Sequence, residues 1–161
     1  MRTLRIIGAV LAALPLLAAC GGAKPPKPVE AKALVTASAN VNRDSAGRPS
    51  PVVLRVFQLR GDAEFNGADF FALYEREKET LGASLILREE FVLQPGEQRD
   101  LVLPLSLEAR HIGAIAAFRD IRSTKWRAIS PAPEKSLADM LSKDRVTIAV
   151  GDDAVTLSIK D

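Results

Sequence analysis

The sequence predicts a mostly β protein, a two-sheet β-sandwich of about eight short strands with a small helical insertion. Short segments that alternate apolar and polar residues recur from about residue 33 onwards, separated by turn residues. One stretch near the middle instead repeats its apolar residues at helical spacing. The composition, with 47% hydrophobic and 26% charged residues in 161, is typical of one folded domain and excludes a disordered or collagen-like chain.

Residues 1–19 have the composition of a secretory signal peptide. A basic start with Arg2 and Arg5 precedes an apolar run over residues 6–17, and small residues follow it. The run is too short for a transmembrane helix, which needs roughly 20 apolar residues. We therefore expect residues 1–19 to be removed on export.

Cys20, the only cysteine of the sequence, directly follows this peptide. Leu17-Ala18-Ala19-Cys20 looks like a bacterial lipobox, in which the cysteine is acylated and becomes the first residue of the mature protein. An unmodified cysteine beside an ordinary cleavage site is the alternative. Asp at the next position commonly retains Gram-negative lipoproteins in the inner membrane, so Gly21 predicts sorting to the outer membrane. Residues 20–31 are predicted to be the lipidated cysteine and a proline-rich tether, extended because of its prolines.

The mature chain is predicted to have no net charge. The sequence has 22 basic and 20 acidic residues, and Arg2 and Arg5 are lost with the signal peptide. A neutral domain gives no electrostatic reason to expect a nucleic-acid partner. One cysteine excludes an intramolecular disulfide, and one histidine excludes the common zinc sites. The sequence therefore predicts no metal and no cofactor besides the covalent lipid on Cys20.

The folded domain is predicted over residues 32–161. Its predicted strands are 33–39, 51–59, a strand ending at Phe91–Leu93, Leu101–Leu105, 112–118, 125–129, Val146–Val150 and Val155–Ile159. Pro95 and Gly96 predict a tight turn after the third strand, with Gly supplying the positive φ. Gly151-Asp152-Asp153 reads as a turn, so the last two strands are predicted to form a hairpin.

A helical insertion is predicted at about residues 62–82. The amphipathic stripe, apolar except at Glu77, has the spacing i, i+3, i+4, i+7 and i+11, at Phe70, Leu73, Tyr74, Glu77 and Leu81. It predicts a helix over 68–81, with Asp69 near the N-cap and Gly82 as the stop. A second short helix is predicted at about 133–141. We interpret these stripes as helices packed on the sheet, with a peptide-binding groove as the alternative.

Catalytic signals are missing from the sequence. The nucleophile-elbow, zinc-protease, P-loop and dinucleotide motifs are all absent. His111 starts a predicted strand and is expected at the surface or rim, while Glu89 and Glu90 would point to opposite faces of theirs. We therefore predict a protein that is not an enzyme and has no small-molecule substrate. A lipid-anchored periplasmic hydrolase with a carboxylate pair is the alternative.

Two further groups of residues are interpreted as structural. Arg119 and Asp120 follow a predicted strand, where they would form an ion pair or cap a loop. Trp126, the single tryptophan, is expected to pack across the sandwich.

Residues 41–50 form a connection that stands apart by its length and its charged residues. They join the first two predicted strands with a loop longer than a tight hairpin needs, and they contain two arginines and an aspartate. Binding residues often lie on long loops of rigid β scaffolds. The residues by themselves leave a partner-binding loop and an ordinary solvated loop equally open.

A set of short motifs runs in order through the chain, over about residues 33–159 besides the lipobox. They are Leu17–Cys20, Asn42, Gly47–Pro51, Val52–Leu59, Phe65, Asp69–Tyr74, Leu81-Gly82, Leu93–Glu97, Ile112-Gly113, Ala117–Asp120 and Trp126-Arg127. As an ordered set, these motifs resemble those of the type VI secretion lipoproteins, the TssJ family.

This resemblance implies a transthyretin-like β-sandwich with added helices, held in the outer membrane by the acylated cysteine and facing the periplasm. It also implies binding to the periplasmic C-terminal region of TssM, an inner-membrane protein, and indirectly an assembly with TssL. A lipid-anchored pilotin or adaptor of another envelope machine is the runner-up.

The partner contact of the family lies on the loop between the first two strands. In this sequence that loop comprises Asn42, Arg43, Asp44, Ser45, Ala46, Gly47, Arg48, Pro49 and Ser50. Arg43, Asp44 and Arg48 are predicted to set the register and the choice of partner, because charges at a rim act more on specificity than on affinity.

Overall fold

The computed structural model describes residues 29–132 and 145–160. Within these ranges the chain forms eight strands and three short helices. The strands are β1 (Val29–Ala37), β2 (Val52–Leu59), β3 (Leu85–Leu93), β4 (Gln98–Leu105), β5 (His111–Ala116), β6 (Arg127–Pro131), β7 (Arg145–Val150) and β8 (Val155–Lys160). The helices are α1 (Ala63–Gly67), α2 (Phe70–Glu75) and α3 (Glu77–Leu81), and a 3-10 turn follows at Gly82–Ser84.

The strands form two four-stranded sheets, in the orders β4-β1-β7-β8 and β3-β2-β5-β6. Neighbouring strands are antiparallel except for β1 and β7, which are parallel. The predicted two-sheet sandwich is thereby confirmed, and each predicted strand overlaps an observed one. Alternation identified them because the inner residues of each strand are buried against the opposite sheet.

The predicted start of the domain needs a correction. The first strand begins at Val29, three residues before the predicted boundary at residue 32, so the end of the predicted tether belongs to the sheet. Val29 lies opposite Leu105 and Ala31 opposite Leu103, and Ala31 is buried. The small side chain of Ala31 gave little hydrophobic signal beside the preceding prolines, although its backbone completes the ladder to β4.

The helices cover the outer face of the second sheet. Phe57, Leu59 and Ile115 point outward from β2 and β5, and they pack under the buried residues of the insertion. Those residues are Phe65, Phe70, Leu73 and Leu81. The interpretation of the apolar stripe as helix packed on sheet is therefore confirmed.

The predicted continuous helix over 68–81 is wrong in one respect, because the backbone leaves helical geometry at Arg76 (φ −131°). Arg55 of β2 donates a hydrogen bond to the carbonyl of Tyr74, which a continuing helix would use itself. The predicted ends are confirmed. Asp69 caps α2 by accepting a hydrogen bond from the backbone of Ala72 at 2.8 Å, and Gly82 ends α3 with φ +48°.

An ionic network holds the insertion on the sheet. Arg55 lies 2.9 Å from Glu77 of α3 and 2.6 Å from Glu90 of β3, and only 13% of the Arg55 and Glu77 side chains is exposed. Arg88 also contacts Glu77, at 2.9 Å. From β6, Arg127 donates to the carbonyls of Phe65 and Ala68 at 2.7 and 3.0 Å, at the end of α1. The insertion is thus a fixed layer of the domain.

Several predicted segments lie outside the described residues. They are the signal peptide (1–19), Cys20 with most of the tether, and the short helix at 133–141. Within the described ranges, no helix has the length and apolar character needed to cross a membrane.

Candidate functional site

Four connections meet at one end of the sandwich, which we call the loop end. They are residues 38–51, 94–97, 117–126 and 151–154. Backbone hydrogen bonds join them, for example from Ser38 to the Val150 carbonyl at 2.8 Å and from Gly96 to the Ser38 carbonyl at 3.0 Å. The first strand starts at the opposite end, at Val29. At about 3.3 Å per residue, β1 separates the two ends by roughly 25 Å.

Asn42 anchors the predicted binding loop to the rest of the loop end. It adopts the left-handed conformation (φ +52°) and is only 7% exposed. Its side-chain amide donates to the Pro51 carbonyl at 2.6 Å, and its side-chain oxygen accepts from the Arg119 backbone N–H at 2.8 Å. Asn42 therefore ties both ends of its own loop to the β5–β6 connection, and its side chain is unavailable to a partner.

Asp44 organises the middle of the loop. One carboxylate oxygen accepts from the backbone N–H groups of Ala46 and Arg48, both at 2.9 Å, and the other binds the Arg48 guanidinium at 2.8 Å. The hydrogen bonds from Arg48 hold the pKa of Asp44 below its ordinary value, and the bond from the Arg48 backbone contributes more than the one from its side chain. Asp44 is ionised at neutral pH, and the loop is closed on itself there.

The predicted site residues thus fall into two groups. Asn42 and Ser50 are buried, and Asp44 is mostly enclosed by its own loop, so these three shape the loop rather than present side chains. The exposed group is Arg43, Ser45, Ala46, Gly47, Arg48 and Pro49. Arg48 is the most prominent of the three predicted charged contacts, with 79% of its side chain exposed, while Arg43 lies 3.8 Å from Asp152 and is 49% exposed.

A cleft of about 270 Å³ opens beside this loop. It is lined by residues of three connections: Asn42, Arg43, Phe118, Arg119, Asp120, Ser123, Thr124, Asp152 and Asp153. The interpretation of Asp120 as a loop cap is confirmed, since it accepts a hydrogen bond from the Ser123 hydroxyl at 2.7 Å. That bond is the main cause that lowers the pKa of Asp120. Sequence reasoning singled out Arg119 and Asp120 but did not place them beside residues 42–50.

Trp126 lies at the edge of this region, and it packs on the core between the sheets, as predicted, and also on the insertion. Its ring meets Phe70 of the insertion edge-on, with the centroids 5.4 Å apart. It contacts both the core between the sheets and the core under the helices. Trp126 therefore joins the insertion to the sandwich in addition to packing on the interior.

We expect Asn42→Ala to lower the free energy of unfolding by about 1–3 kcal/mol, because it leaves the part-buried Pro51 carbonyl and Arg119 backbone N–H without their side-chain partner. Asn42→Gly removes the same hydrogen bonds but tolerates the positive φ, so it should be less destabilising by about 1 kcal/mol. Urea unfolding of residues 21–161 measures both effects. An unchanged midpoint for both variants would show that Asn42 does not hold the loop.

The titratable groups of the described residues give a hydrolytic site no support. Hydrogen bonds hold the pKa below its ordinary value at Asp44, Glu64, Glu97 and Asp120, whereas a general acid needs a raised pKa. Glu90 pairs with Arg55 on the outer face, and Glu89 lies opposite Val56 of the inner face. His111 lies at the end opposite the loop end, and its buried Nδ1 has no hydrogen-bond partner among the described residues. No group of three or more potential ligands in this part of the chain could hold a metal ion.

The sequence matches a family model over residues 30–153, that of the type VI secretion lipoproteins described as VasD, EvfM, TssJ and VC_A0113. The chain belongs to the type VI secretion lipoprotein family. No curated protein matches it.

Solved structures agree with this family membership. The type VI secretion lipoprotein TssJ1 from Pseudomonas aeruginosa is 30% identical, with a TM-score of 0.74 over 83% of this chain and 98% of that one. Lip from Serratia marcescens, a membrane-bound component of the type VI secretion system, is 31% identical, with a TM-score of 0.69 over 83% and 97%. A chain of the structure described as the TssM C-terminal domain from EAEC is 25% identical, with a TM-score of 0.62 over 80% and 97%.

Proposed function

We propose that this lipoprotein is held in the outer membrane by acylated Cys20, faces the periplasm and binds the periplasmic C-terminal region of TssM through the loop 42–50. The observation that carries the proposal is the position of the loop end relative to the start of β1. The lipid-bearing segment enters the fold at Val29, and the exposed part of the loop lies at the other end of the same strand. An anchored domain of this shape directs its loop end away from the membrane.

TssM is the proposed partner for two reasons. The motif set of this chain resembles that of the TssJ lipoproteins, and the fold is similar to a chain of a structure described as the TssM C-terminal domain. Contact with TssL would then be indirect, through TssM. The exposed arginines of the loop would fix its register on the partner, since rim charges act on specificity and association rate.

The proposed mechanism depends on where the protein is held and where its loop points. It involves no catalysis and no cofactor besides the lipid. Acyl chains fix one end of the protein in the outer membrane, and the proline-rich tether gives the domain reach. Confinement to the layer between two membranes raises the effective concentration of the loop near TssM without any additional contact.

The loop assignment is tested by replacing residues 43–49 with a Gly/Ser sequence while keeping Asn42 and Ser50. We expect TssM capture to weaken by about 100-fold or more, because the exposed contacts of the loop are lost together. The unfolding free energy should change by less than about 1 kcal/mol, since the Asp44–Arg48 pair lies at the surface. Purified TssM periplasmic C-terminal region and the full-length lipoprotein in detergent provide the binding assay.

A matched control removes a charge pair from the opposite end. Arg60→Ser with Glu108→Ser eliminates an exposed ion pair of the same kind and should leave the affinity unchanged. If the loop-replaced protein captures TssM as the wild type does, the loop assignment is wrong. If the wild type itself fails to bind TssM, the partner is wrong.

A further inference from the structure

We infer that the partner-binding surface continues from the loop 42–50 onto the β5–β6 connection, where the Arg119 guanidinium receives a carboxylate of the partner. This inference rests on the proposed function, because it enlarges the same surface. It assigns a binding role to Arg119, for which the sequence predicted a structural one.

The first argument is that the connections around the cleft are already joined. The Asn42 side chain accepts from the Arg119 backbone at 2.8 Å, and the Ser38 hydroxyl donates to Asp152. The Lys125 backbone N–H donates to the Asp153 carbonyl at 2.8 Å. Residues 118–124 are therefore already fixed in position relative to the loop 42–50. A partner that contacts both needs to order few residues, so binding costs little conformational entropy.

The second argument is that hydrogen-bond donors of Arg119 remain unused. The carboxylates of Asp44, Asp120 and Asp152 already accept from Arg48, Ser123 and Ser38. Arg119 is exposed, and within the described residues its guanidinium has no ion pair or hydrogen bond. A guanidinium carries five N–H donors arranged to bind a carboxylate through two of them. An acidic side chain of the partner satisfies these donors.

The third argument is electrostatic. The positive charge of Arg119 is among the causes that lower the pKa of Asp44, so the two groups are close enough to interact. Both oxygens of Asp44 are nevertheless bound to its own loop, by Ala46 and Arg48. Arg119 is thus placed beside the predicted binding loop without being neutralised by an ion pair there.

The test uses variants that keep the fold, because Asn42 binds the Arg119 backbone and not its side chain. We measure the affinity of the full-length lipoprotein in detergent for the purified TssM periplasmic region. Arg119→Ala should weaken binding roughly 5- to 30-fold, Arg119→Glu should weaken it further, and Arg119→Lys should restore part of the loss. The association rate of Arg119→Ala should also depend less on salt.

Arg122→Ala is the matched control, since Arg122 is exposed on the same connection but does not line the cleft. It should bind as the wild type does. If Arg122→Ala lowers the affinity as much as Arg119→Ala does, the effect comes from general charge attraction, and the inference is overturned. Asp153→Asn tests the opposite possibility, that the cleft binds a cation of the partner. If Asp153→Asn weakens binding and Arg119→Ala does not, the cleft receives a cation and the inference is wrong.

The replacement of residues 43–49 distinguishes a failure of this inference from a failure of the proposed function. If that replacement abolishes binding while Arg119→Ala has no effect, the extension onto the β5–β6 connection is wrong and the proposed function stands. If neither change affects the affinity, both the extension and the loop assignment are wrong.

Discussion

Replacing Cys20 by Ser should move the protein from the membrane fraction into the soluble fraction and abolish type VI secretion. A serine hydroxyl does not form the thioether that carries the lipid, so the anchor is lost. Each buried methylene of an acyl chain contributes about 0.8 kcal/mol, and several chains together anchor a protein far more firmly than a single myristoyl group. Fractionation of envelopes, with a secretion assay on the same cells, measures the effect.

Gly21→Asp is the matched control, because it keeps the cysteine that we propose to be acylated and changes only the residue that follows it. This variant should stay in membranes but shift from the outer to the inner membrane. The unfolding free energy of the domain should be unchanged in both variants, since β1 begins only at Val29. Membrane attachment of Cys20→Ser would show that the lipid on this residue is not the anchor.

Gly113→Val should be the most destabilising single substitution among those considered, at about 3 kcal/mol or more. A Cβ at this position of β5 would lie 2.7 Å from Cζ of Phe65, closer than real Cβ contacts. Phe65 has no room to move, because it is fully buried between its own helix α1 and the sheet, with its ring 5.6 Å from that of Phe57. Urea unfolding of residues 21–161 measures the loss, and Gly113→Ala should show a smaller one of about 1–3 kcal/mol.

Two comparisons make this prediction specific to the contact. Gly67→Ala, at the end of α1, meets no atom within 4 Å and should change stability by less than about 0.5 kcal/mol. Phe65→Leu combined with Gly113→Ala should lose less than the sum of the two single changes, because the shorter side chain relieves the overlap. Additive losses would contradict a direct clash between the two positions.

Positions of strands could be predicted because their signal is local. In β7 the buried residues Val146, Ile148 and Val150 alternate with more exposed ones, so the pattern is visible without the partner strands. The break between α2 and α3 could not be predicted in this way. It depends on Arg55, which lies 19 residues before Tyr74 in the chain and reaches its carbonyl from another element.

The candidate site likewise has features that the sequence predicts and features that only the structure shows. The loop 42–50 could be predicted as the candidate site from its length, its charges and the family resemblance, but the exposure of its two arginines is known only from the structure. The roles inside the loop were not recognisable, since Asn42 and Arg119 are 77 residues apart in the chain. A buried asparagine and an exposed one look alike in a sequence until the group that it binds is known.

By itself, the sequence determined the family resemblance and the alternating strands, and it predicted the export signal and the acylation of Cys20, because each is encoded within a few consecutive residues. Only the tertiary structure decided which residues of the loop face outward, which connections share the loop end, and that this end lies opposite the start of β1. Those properties depend on the order and direction of strands in two sheets. Pairing between distant segments sets that order, and no local pattern encodes it.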